Sequence, residues 1–288
     1  MGAVADYAAL IDAVDSQRER LQGPPGPDIW GGETAKRFRA DPKRQMDDNY
    51  ETLAALVKPD DVFVDAGGGA GRFSLPMALR CREVINVDLS AGMGEEFEES
   101  AAGAGIANAK FVLSDWLDVD EVQGDVVHAA HVTYFVRDIE RFVAKLEGAA
   151  RRRVIITLAS IAEPMLNAKL FEMVYGEEQA IVPSYTYLLP ALWEMGVLPD
   201  VRFLPHGTHF NGVSQLQEFP QSKEDAVEVA LAGVWLAPQH RDRAEKVVRE
   251  RFDELFQQDS DGFIPMWLPD AQQVLITWET GQHGDDVG

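Results

Sequence analysis

The sequence predicts a single α/β domain built on a doubly wound, mostly parallel sheet of seven strands. Short, unbroken and β-branched runs alternate with segments of helical periodicity through the middle of the chain, a pattern typical of strands covered by helices on both faces. The first run leads into a glycine-rich turn, at the point where open α/β sheets bind their ligands. A chain of 288 residues, 46% of them hydrophobic, can hold one such domain with added helices.

The strands are predicted from short apolar runs bounded by polar or turn-forming residues. Five of them follow one another through the central region, and two more lie late in the chain. Helical patterns at 223–236 and 241–257 separate the last two and indicate a helical insertion before the final strand. The predicted strands are 62–65, 84–88, 111–113, 126–129, 154–158, 201–204 and 274–278.

Three regions follow from this pattern. Residues 1–57 form a helical lid, with Tyr7, Leu10, Ile11 and Val14 on one helix face and a Gly-Pro-rich break at 23–27. Residues 58–160 form the core that carries the first five strands. Residues 161–288 add helical cap segments and the last two strands, which complete the same domain.

Composition restricts the partners. The chain has 26 Lys and Arg against 48 Asp and Glu, so its formal net charge of −22 disfavours nucleic acid. A membrane-spanning helix needs roughly 18 continuous apolar residues, and the sequence contains no such run. The start of the chain lacks the features of a secretory signal and Cys81 is the only cysteine, so we expect a cytoplasmic protein without a disulfide, either monomer or homodimer.

The glycine-rich turn occupies 65–71 and reads Asp-Ala-Gly-Gly-Gly-Ala-Gly. Glycines let the backbone adopt positive φ and approach a ligand closely. A dinucleotide fingerprint that starts at Gly67 and Gly69 requires a third glycine where this chain has Arg72. A phosphate-binding P-loop requires Gly-Lys-Ser or Gly-Lys-Thr, which does not follow. The spacing therefore disfavours both kinds of nucleotide site.

The pattern D-x-G-x-G-x-G, formed by Asp65, Gly67, Gly69 and Gly71, resembles the first motif of class I (Rossmann-like) S-adenosylmethionine-dependent methyltransferases, of the bacterial small-molecule type. The resemblance extends to Asp88, which ends the second predicted strand 23 residues after Asp65. In that family an acidic residue here holds the two ribose hydroxyls. The resemblance thus implies S-adenosylmethionine as cofactor and S-adenosylhomocysteine as product.

The same resemblance implies a set of cofactor contacts along the carboxyl ends of the first four strands. Taken alone, Asp115 fits a turn cap equally well, and Met93 and Trp116 fit core positions. The implied cofactor-binding residues are Asp65, Ala66, Gly67, Gly68, Gly69, Gly71, Asp88, Leu89, Met93, Ser114, Asp115, Trp116 and His131.

His131 and Tyr134 follow the fourth strand and are the candidate catalytic residues on the acceptor side. Histidine titrates near neutral pH and can take a proton from an acceptor. The alternative is that His131 contacts the cofactor only through its backbone and that Tyr134 packs a helix. His206 and His209 have a spacing that could hold a metal, but no nearby carboxylate completes the set, and no metal site is predicted.

The predicted function is direct, in-line methyl transfer to a small-molecule acceptor. Lids at 21–50 and 160–193, which are rich in aromatic residues, are expected to select it. Three alternatives remain open: an NAD(P)-dependent oxidoreductase, a non-catalytic cofactor-binding protein of the same fold, and a methyltransferase acting on protein or RNA.

Overall fold

The computed structural model describes residues 2–24, 28–205, 219–234 and 236–281. The helices α1 to α11 span Ala3–Gln22, Glu33–Phe38, Asp48–Ala54, Ser74–Ala78, Ala91–Ala104, Ile139–Ala149, Ala168–Tyr175, Tyr185–Glu194, Lys223–Gly233, Arg241–Glu250 and Phe252–Leu255. The strands β1 to β9 span Val62–Ala66, Glu83–Asp88, Ala109–Leu113, Gly124–Ala130, Ala150–Ala159, Asp200–Phe203, Phe256–Asp259, Gly262–Pro265 and Gln273–Glu279.

Seven strands form one sheet in the order β3-β2-β1-β4-β5-β9-β6. Neighbours from β3 to β5 are parallel, whereas β9 runs antiparallel to both β5 and β6. The predicted doubly wound, mostly parallel sheet is confirmed. The strand order reverses between β1 and β4, and the crevice outside the carboxyl ends at such a reversal is the usual ligand site.

Alternate residues of the strands pack against helices on opposite faces of the sheet. Val62 and Val64 belong to a core with α1, α6 and α8, whereas Phe63 belongs to a second core with α3, α4 and α5. Both faces are therefore covered, which explains the continuous apolar runs in the central strands. None of the helices in the described ranges has the length and apolar character needed to cross a bilayer.

The helix predicted at 241–257 is interrupted at Arg251 and ends at Leu255, two residues earlier than predicted. The periodicity at 241–257 predicts one helix, but α10 ends at Glu250, and after the short α11 the chain enters the β7–β8 hairpin. Phe256 starts this hairpin and packs at 5.1 Å against Trp267, while Asp261 N donates to Asp259 Oδ1 and Gly262 has φ +123°. Turn formation and aromatic packing override the helical pattern here.

The helical insertion and α7 form a separate small core, to which the hairpin also contributes. The insertion itself, α9 to α11, lies before the last strand as the sequence predicts. His206 and His209, the pair considered for a metal, lie outside the described residues. So do Pro25, Gly26 and Pro27 of the predicted break.

Candidate cofactor and acceptor site

The glycine loop connects the carboxyl end of β1 to α4. Gly67, Gly69 and Gly71 all have positive φ, at +73°, +53° and +84°. At Gly71 a Cβ would lie 2.7 Å from Leu75 Cγ and Phe97 Cδ2, so this position needs glycine for space as well as for conformation. The loop backbone therefore folds tightly over the end of the sheet, and no side chain of its own fills the crevice.

Asp88 holds the loop against the end of β2. Its Oδ2 accepts a hydrogen bond from Gly69 N at 2.9 Å, and its Oδ1 accepts one from Ser90 N at 2.9 Å. Burial raises the pKa of Asp88, and the two backbone donors oppose that rise. Each carboxylate oxygen keeps a further lone pair, so the group can still accept hydrogen bonds from a diol.

A buried polar network lies beneath the loop. Asp65 Oδ1 lies 2.9 Å from His128 Nδ1, and His128 Nε2 lies 3.0 Å from Thr157 Oγ1, with all three side chains inside the core. These residues come from β1, β4 and β5, so the hydrogen bonds tie three strands together behind the loop. Buried hydrogen bonds of this kind rigidify their surroundings.

Two buried oxygens point toward Gly68. Asp65 Oδ2 and Asn86 Oδ1 have no hydrogen-bond partner within the described ranges, and a Cβ on Gly68 would lie 2.6 Å and 2.4 Å from them. Asn86 Nδ2 donates to Gly69 O at 3.0 Å and so fixes the loop from below. Unpaired buried acceptors beside a glycine loop fit a site that receives a ligand with hydrogen-bond donors.

The adenosine side of the crevice contains several of the predicted residues. Leu89 and Asp115 are exposed at the ends of β2 and β3, and Ser114 N is hydrogen-bonded to Asp88 O. Met93 is buried, with its sulfur 3.5 Å from the position of a Cβ on Gly69. These groups surround the space beside Asp88.

The structure does not bring Trp116 to this crevice. Its ring is 5% exposed within the core that includes α6, and Lys145 Nζ lies 5.8 Å from the ring centre. Asp115 Oδ1 accepts a hydrogen bond from Leu117 N at 2.7 Å and therefore caps a turn. The exposed carboxylate of Asp115 still lies at the edge where the resemblance places it.

His131 follows β4 and takes φ +58°, an uncommon value for a residue with a side chain. Its backbone N donates to Thr157 O at 2.8 Å, and its ring lies near Phe73 and Tyr134, with centres 6.3 Å and 6.1 Å away. Glu163 Oε1, from the segment after β5, lies 3.5 Å from His131 Nδ1. Unfavourable backbone conformations of this kind gather at functional sites.

The titration of His131 is set by its surroundings. Burial lowers the pKa of the imidazole below its usual 6.5, and the negative charge of Glu163 partly opposes that change. The ring is therefore neutral at pH 7 and can accept a proton. Tyr134, by contrast, is 1% exposed, its hydroxyl oxygen accepts from Ala159 N at 2.5 Å, and burial raises its pKa well above 10.

The N-terminal lid covers the crevice. Asp28 Oδ2 accepts hydrogen bonds from Ser90 Oγ at 3.0 Å and from Gly92 N at 3.4 Å, next to Asp88. Trp30 packs edge-on against Phe135 at 5.4 Å, so aromatic contacts join the lid to the segment after β4. The lid thus reaches both sides of the crevice and limits the access of water to it.

Sequence reasoning missed Asn86, His128, Thr157, Glu163 and Asp28. The first three carry a signal, since each is a polar residue inside a strand buried on both faces, and such residues need a partner. Glu163 and Asp28 carry no such signal because only the folding of distant segments brings them to the site.

The predicted residues that lie at the crevice, a set without Trp116, fit S-adenosylmethionine. The glycine loop offers backbone groups without side chains in the crevice, Asp88 offers a held carboxylate to a diol, and buried acceptor oxygens lie below. In the described part of the chain, no group of three or more His, Cys, Asp or Glu has the arrangement of a metal site.

Comparison with known families agrees with this geometry. Residues 64–157 match the model of a methyltransferase domain. An uncharacterised protein of Haemophilus influenzae is 30% identical over 159 residues, which cover 54% of this chain and 58% of that protein. A shorter match, 42% over 64 residues, covers 22% of this chain and 14% of the 23S rRNA (uracil(1939)-C(5))-methyltransferase RlmD of Xanthomonas campestris. The chain thus spans little more than half the length of the first relative, and far less of the second.

Solved structures show the same fold over most of the chain. Coclaurine N-methyltransferase, bound to N-methylheliamine and S-adenosylhomocysteine, aligns with a TM-score of 0.52 at 13% identity, covering 96% of this chain and 87% of its own. The [4+2]-cyclase SpnF aligns with a TM-score of 0.53 at 13% identity, covering 96% and 93%. The Rossmann-like methyltransferase fold is confirmed, and residues 64–157 match the model of a methyltransferase domain.

Proposed function

We propose that this protein transfers a methyl group from S-adenosylmethionine to a small-molecule acceptor. One observation carries the proposal: the glycine loop, with Asp88 held against Gly69 N, lies at the strand-order reversal inside the region that matches a methyltransferase domain. Asp88 would hold the ribose, and Leu89 and Met93 would pack against the adenosine. The cofactor supplies an electrophilic methyl group on a sulfonium, and S-adenosylhomocysteine leaves once that methyl has been transferred.

The protein's own contribution is to position the acceptor and to exclude water. In-line displacement needs the nucleophile close to the methyl group and aligned with the breaking bond, which bound geometry supplies. The lid over the crevice, joined to Ser90 through Asp28 and to Phe135 through Trp30, serves that purpose. An acceptor enclosed by such a lid has to be small, which is one reason to favour a metabolite over RNA. The strongly negative net charge of the chain, which repels the phosphates of RNA, is a second reason to favour a metabolite.

His131 is the proposed general base for an acceptor that arrives protonated. Its neutral imidazole can take the proton that leaves the acceptor heteroatom as the new bond to carbon forms. Glu163 lies beside Nδ1 and would orient the ring and stabilise its charged form. Tyr134 remains a candidate only as a support for this site, because its hydroxyl is buried against Ala159.

Binding and turnover test the proposal separately. Calorimetric titration of the folded protein with S-adenosylhomocysteine should give saturable binding with one site per chain. Incubation with methyl-labelled S-adenosylmethionine and a metabolite extract should then label a small molecule. Binding of NADH without binding of S-adenosylhomocysteine would instead favour an oxidoreductase. Binding without any labelled product would favour a non-catalytic protein.

The titration of His131 gives a test that needs no acceptor. Its imidazole should titrate below 6.5 by NMR, because burial disfavours the charged form, and His131→Asn identifies its signal. Glu163→Gln should lower that pKa further, because the carboxylate favours the imidazolium. In turnover, kcat/KM should fall as the pH drops through this pKa. An unchanged or raised pKa in Glu163→Gln would reject the pairing.

A further inference from the structure

Arg72, directly after the glycine loop, places a positive charge under the lid, and no described residue forms an ion pair with it. Its Nη2 donates to Arg37 O at 3.3 Å, and its Cζ lies 5.2 Å from the centre of the Phe38 ring. Within the described ranges, no carboxylate oxygen lies within 4.0 Å of the guanidinium nitrogens. Burial lowers the pKa of Arg72, and Glu163, at longer range, opposes that change.

This absence is not caused by a shortage of acids. Acidic side chains outnumber basic ones by 48 to 26, and arginines elsewhere find carboxylates readily. Examples are Arg80 with Glu51, Arg137 with Asp12 and Arg151 with Asp125. The Arg72 side chain is half-buried, and a partly desolvated cation whose contacts are a backbone carbonyl and an aromatic ring is stabilised by a bound anion. The unpaired guanidinium therefore points to an anion that arrives with a ligand.

Arg44 adds a second cation at the same place. Its Nη2 donates to Arg72 O at 2.9 Å and its Nη1 donates to Asp41 O at 2.9 Å. Burial lowers the pKa of Arg44, and the positive charge of Arg72 lowers it further. It too has no ion-pair partner within the described ranges. The Arg44 guanidinium thus lies against the backbone of Arg72 and within range of its charge, and two such cations raise the local positive potential and favour a bound anion.

We propose that Arg72, supported by Arg44, forms a carboxylate-binding subsite of the active site. A guanidinium can hold a carboxylate through two parallel hydrogen bonds, and it keeps its charge when buried. Arg72 directly follows the glycine loop in the chain and contacts the lid at Arg37 O and the Phe38 ring, and it interacts electrostatically with Glu163 and His131. The carboxylate belongs either to the amino-acid end of the cofactor or to an acidic acceptor. This inference rests on the proposed function and adds a ligand group to it.

Two ligands that differ in the amino-acid end separate these sources. S-adenosylhomocysteine carries a carboxylate, and methylthioadenosine lacks the whole amino-acid end. If Arg72 binds the cofactor, Arg72→Met should weaken S-adenosylhomocysteine by about 10- to 100-fold in calorimetry and leave methylthioadenosine unchanged. Arg72→Lys should lose less affinity for S-adenosylhomocysteine than Arg72→Met, because lysine keeps the positive charge. Arg37→Met, which removes an exposed charge from the same lid, is the matched control and should change neither affinity.

Benzoate serves as the probe for an acidic acceptor. If the subsite belongs to the acceptor, the wild-type complex with S-adenosylhomocysteine should bind benzoate, and Arg72→Met should abolish that binding while cofactor affinity stays the same. The inference would be overturned if Arg72→Met weakened the binding of S-adenosylhomocysteine and of methylthioadenosine equally. It would also be overturned if Arg72→Met changed neither the affinity for S-adenosylhomocysteine nor the binding of benzoate. Failure of the wild-type protein to bind S-adenosylhomocysteine would overturn the proposed function itself.

Discussion

The two sides of the crevice are built in different ways. The adenosine side consists of the glycine loop and the carboxyl ends of β1 to β3, three strands that follow one another in the chain. The proposed acceptor side, at the ends of β4 and β5, combines His131, Glu163 and the lid, which come from distant parts of the chain. The adenosine side is therefore local and is tuned by backbone geometry, whereas the acceptor side depends on tertiary contacts and on burial of charge.

The largest effect is expected on the adenosine side, at Gly71. Alanine there would adopt an unfavourable φ of +84° and bring its Cβ within 2.7 Å of Leu75 and Phe97. We expect Gly71→Ala to lower the free energy of unfolding by about 2 to 5 kcal/mol, as strain and overpacking add. Urea unfolding measures the change.

Gly69→Ala is the matched control, because its φ is +53° but the nearest atom to the new Cβ is Met93 Sδ at 3.5 Å. Gly69→Ala should lower the free energy of unfolding by about 1 to 2 kcal/mol, from backbone strain alone. Equal losses at the two positions would show that crowding at Gly71 contributes nothing.

The next effect is on cofactor affinity at Asp88. Asp88→Ala should weaken S-adenosylhomocysteine by about 1.5 to 3 kcal/mol, because charged hydrogen bonds to the ribose and the anchor of Gly69 N are lost together. Asp115→Ala should weaken the binding of S-adenosylhomocysteine by less than about 1 kcal/mol, since the exposed carboxylate is well solvated in both the free and the bound protein. Calorimetry on both variants checks the order, and a larger loss at Asp115 would reverse our assignment of the adenosine side.

A smaller effect, on stability instead of affinity, is expected behind the acceptor side. Thr157→Val removes the hydroxyl 3.0 Å from His128 Nε2 and leaves a buried nitrogen unpaired, which should lower the free energy of unfolding by about 1 to 3 kcal/mol. Thr157→Ser keeps the hydroxyl and should retain most of that stability. If the serine variant is no more stable than the valine variant, the hydrogen bond is not what Thr157 contributes.

The fold was largely predictable because its signals are local. All seven strands of the main sheet overlap the short apolar runs that predict them, and the central strands are almost continuously apolar because both of their faces are buried. The β7–β8 hairpin was missed because Phe252, Leu255 and Phe256 also fit a helical face. The packing of Phe256 against Trp267 and the turn at Gly262, both further along the chain, favour the hairpin.

For the site, the sequence by itself determined the glycine loop, the place of Asp88 and the position of His131, because each follows directly from a strand end and short-range spacing. The tertiary structure decides that Glu163 lies beside His131 and that His128 joins Asp65 to Thr157. It also decides that Arg72 is half-buried under the lid and, within the described ranges, has no ion-pair partner. Those contacts depend on strand order, on register and on how the lid folds back. None of these is encoded in a short stretch of residues. Burial, which also depends on the tertiary structure, then shifts the pKa of His131 and of Arg72.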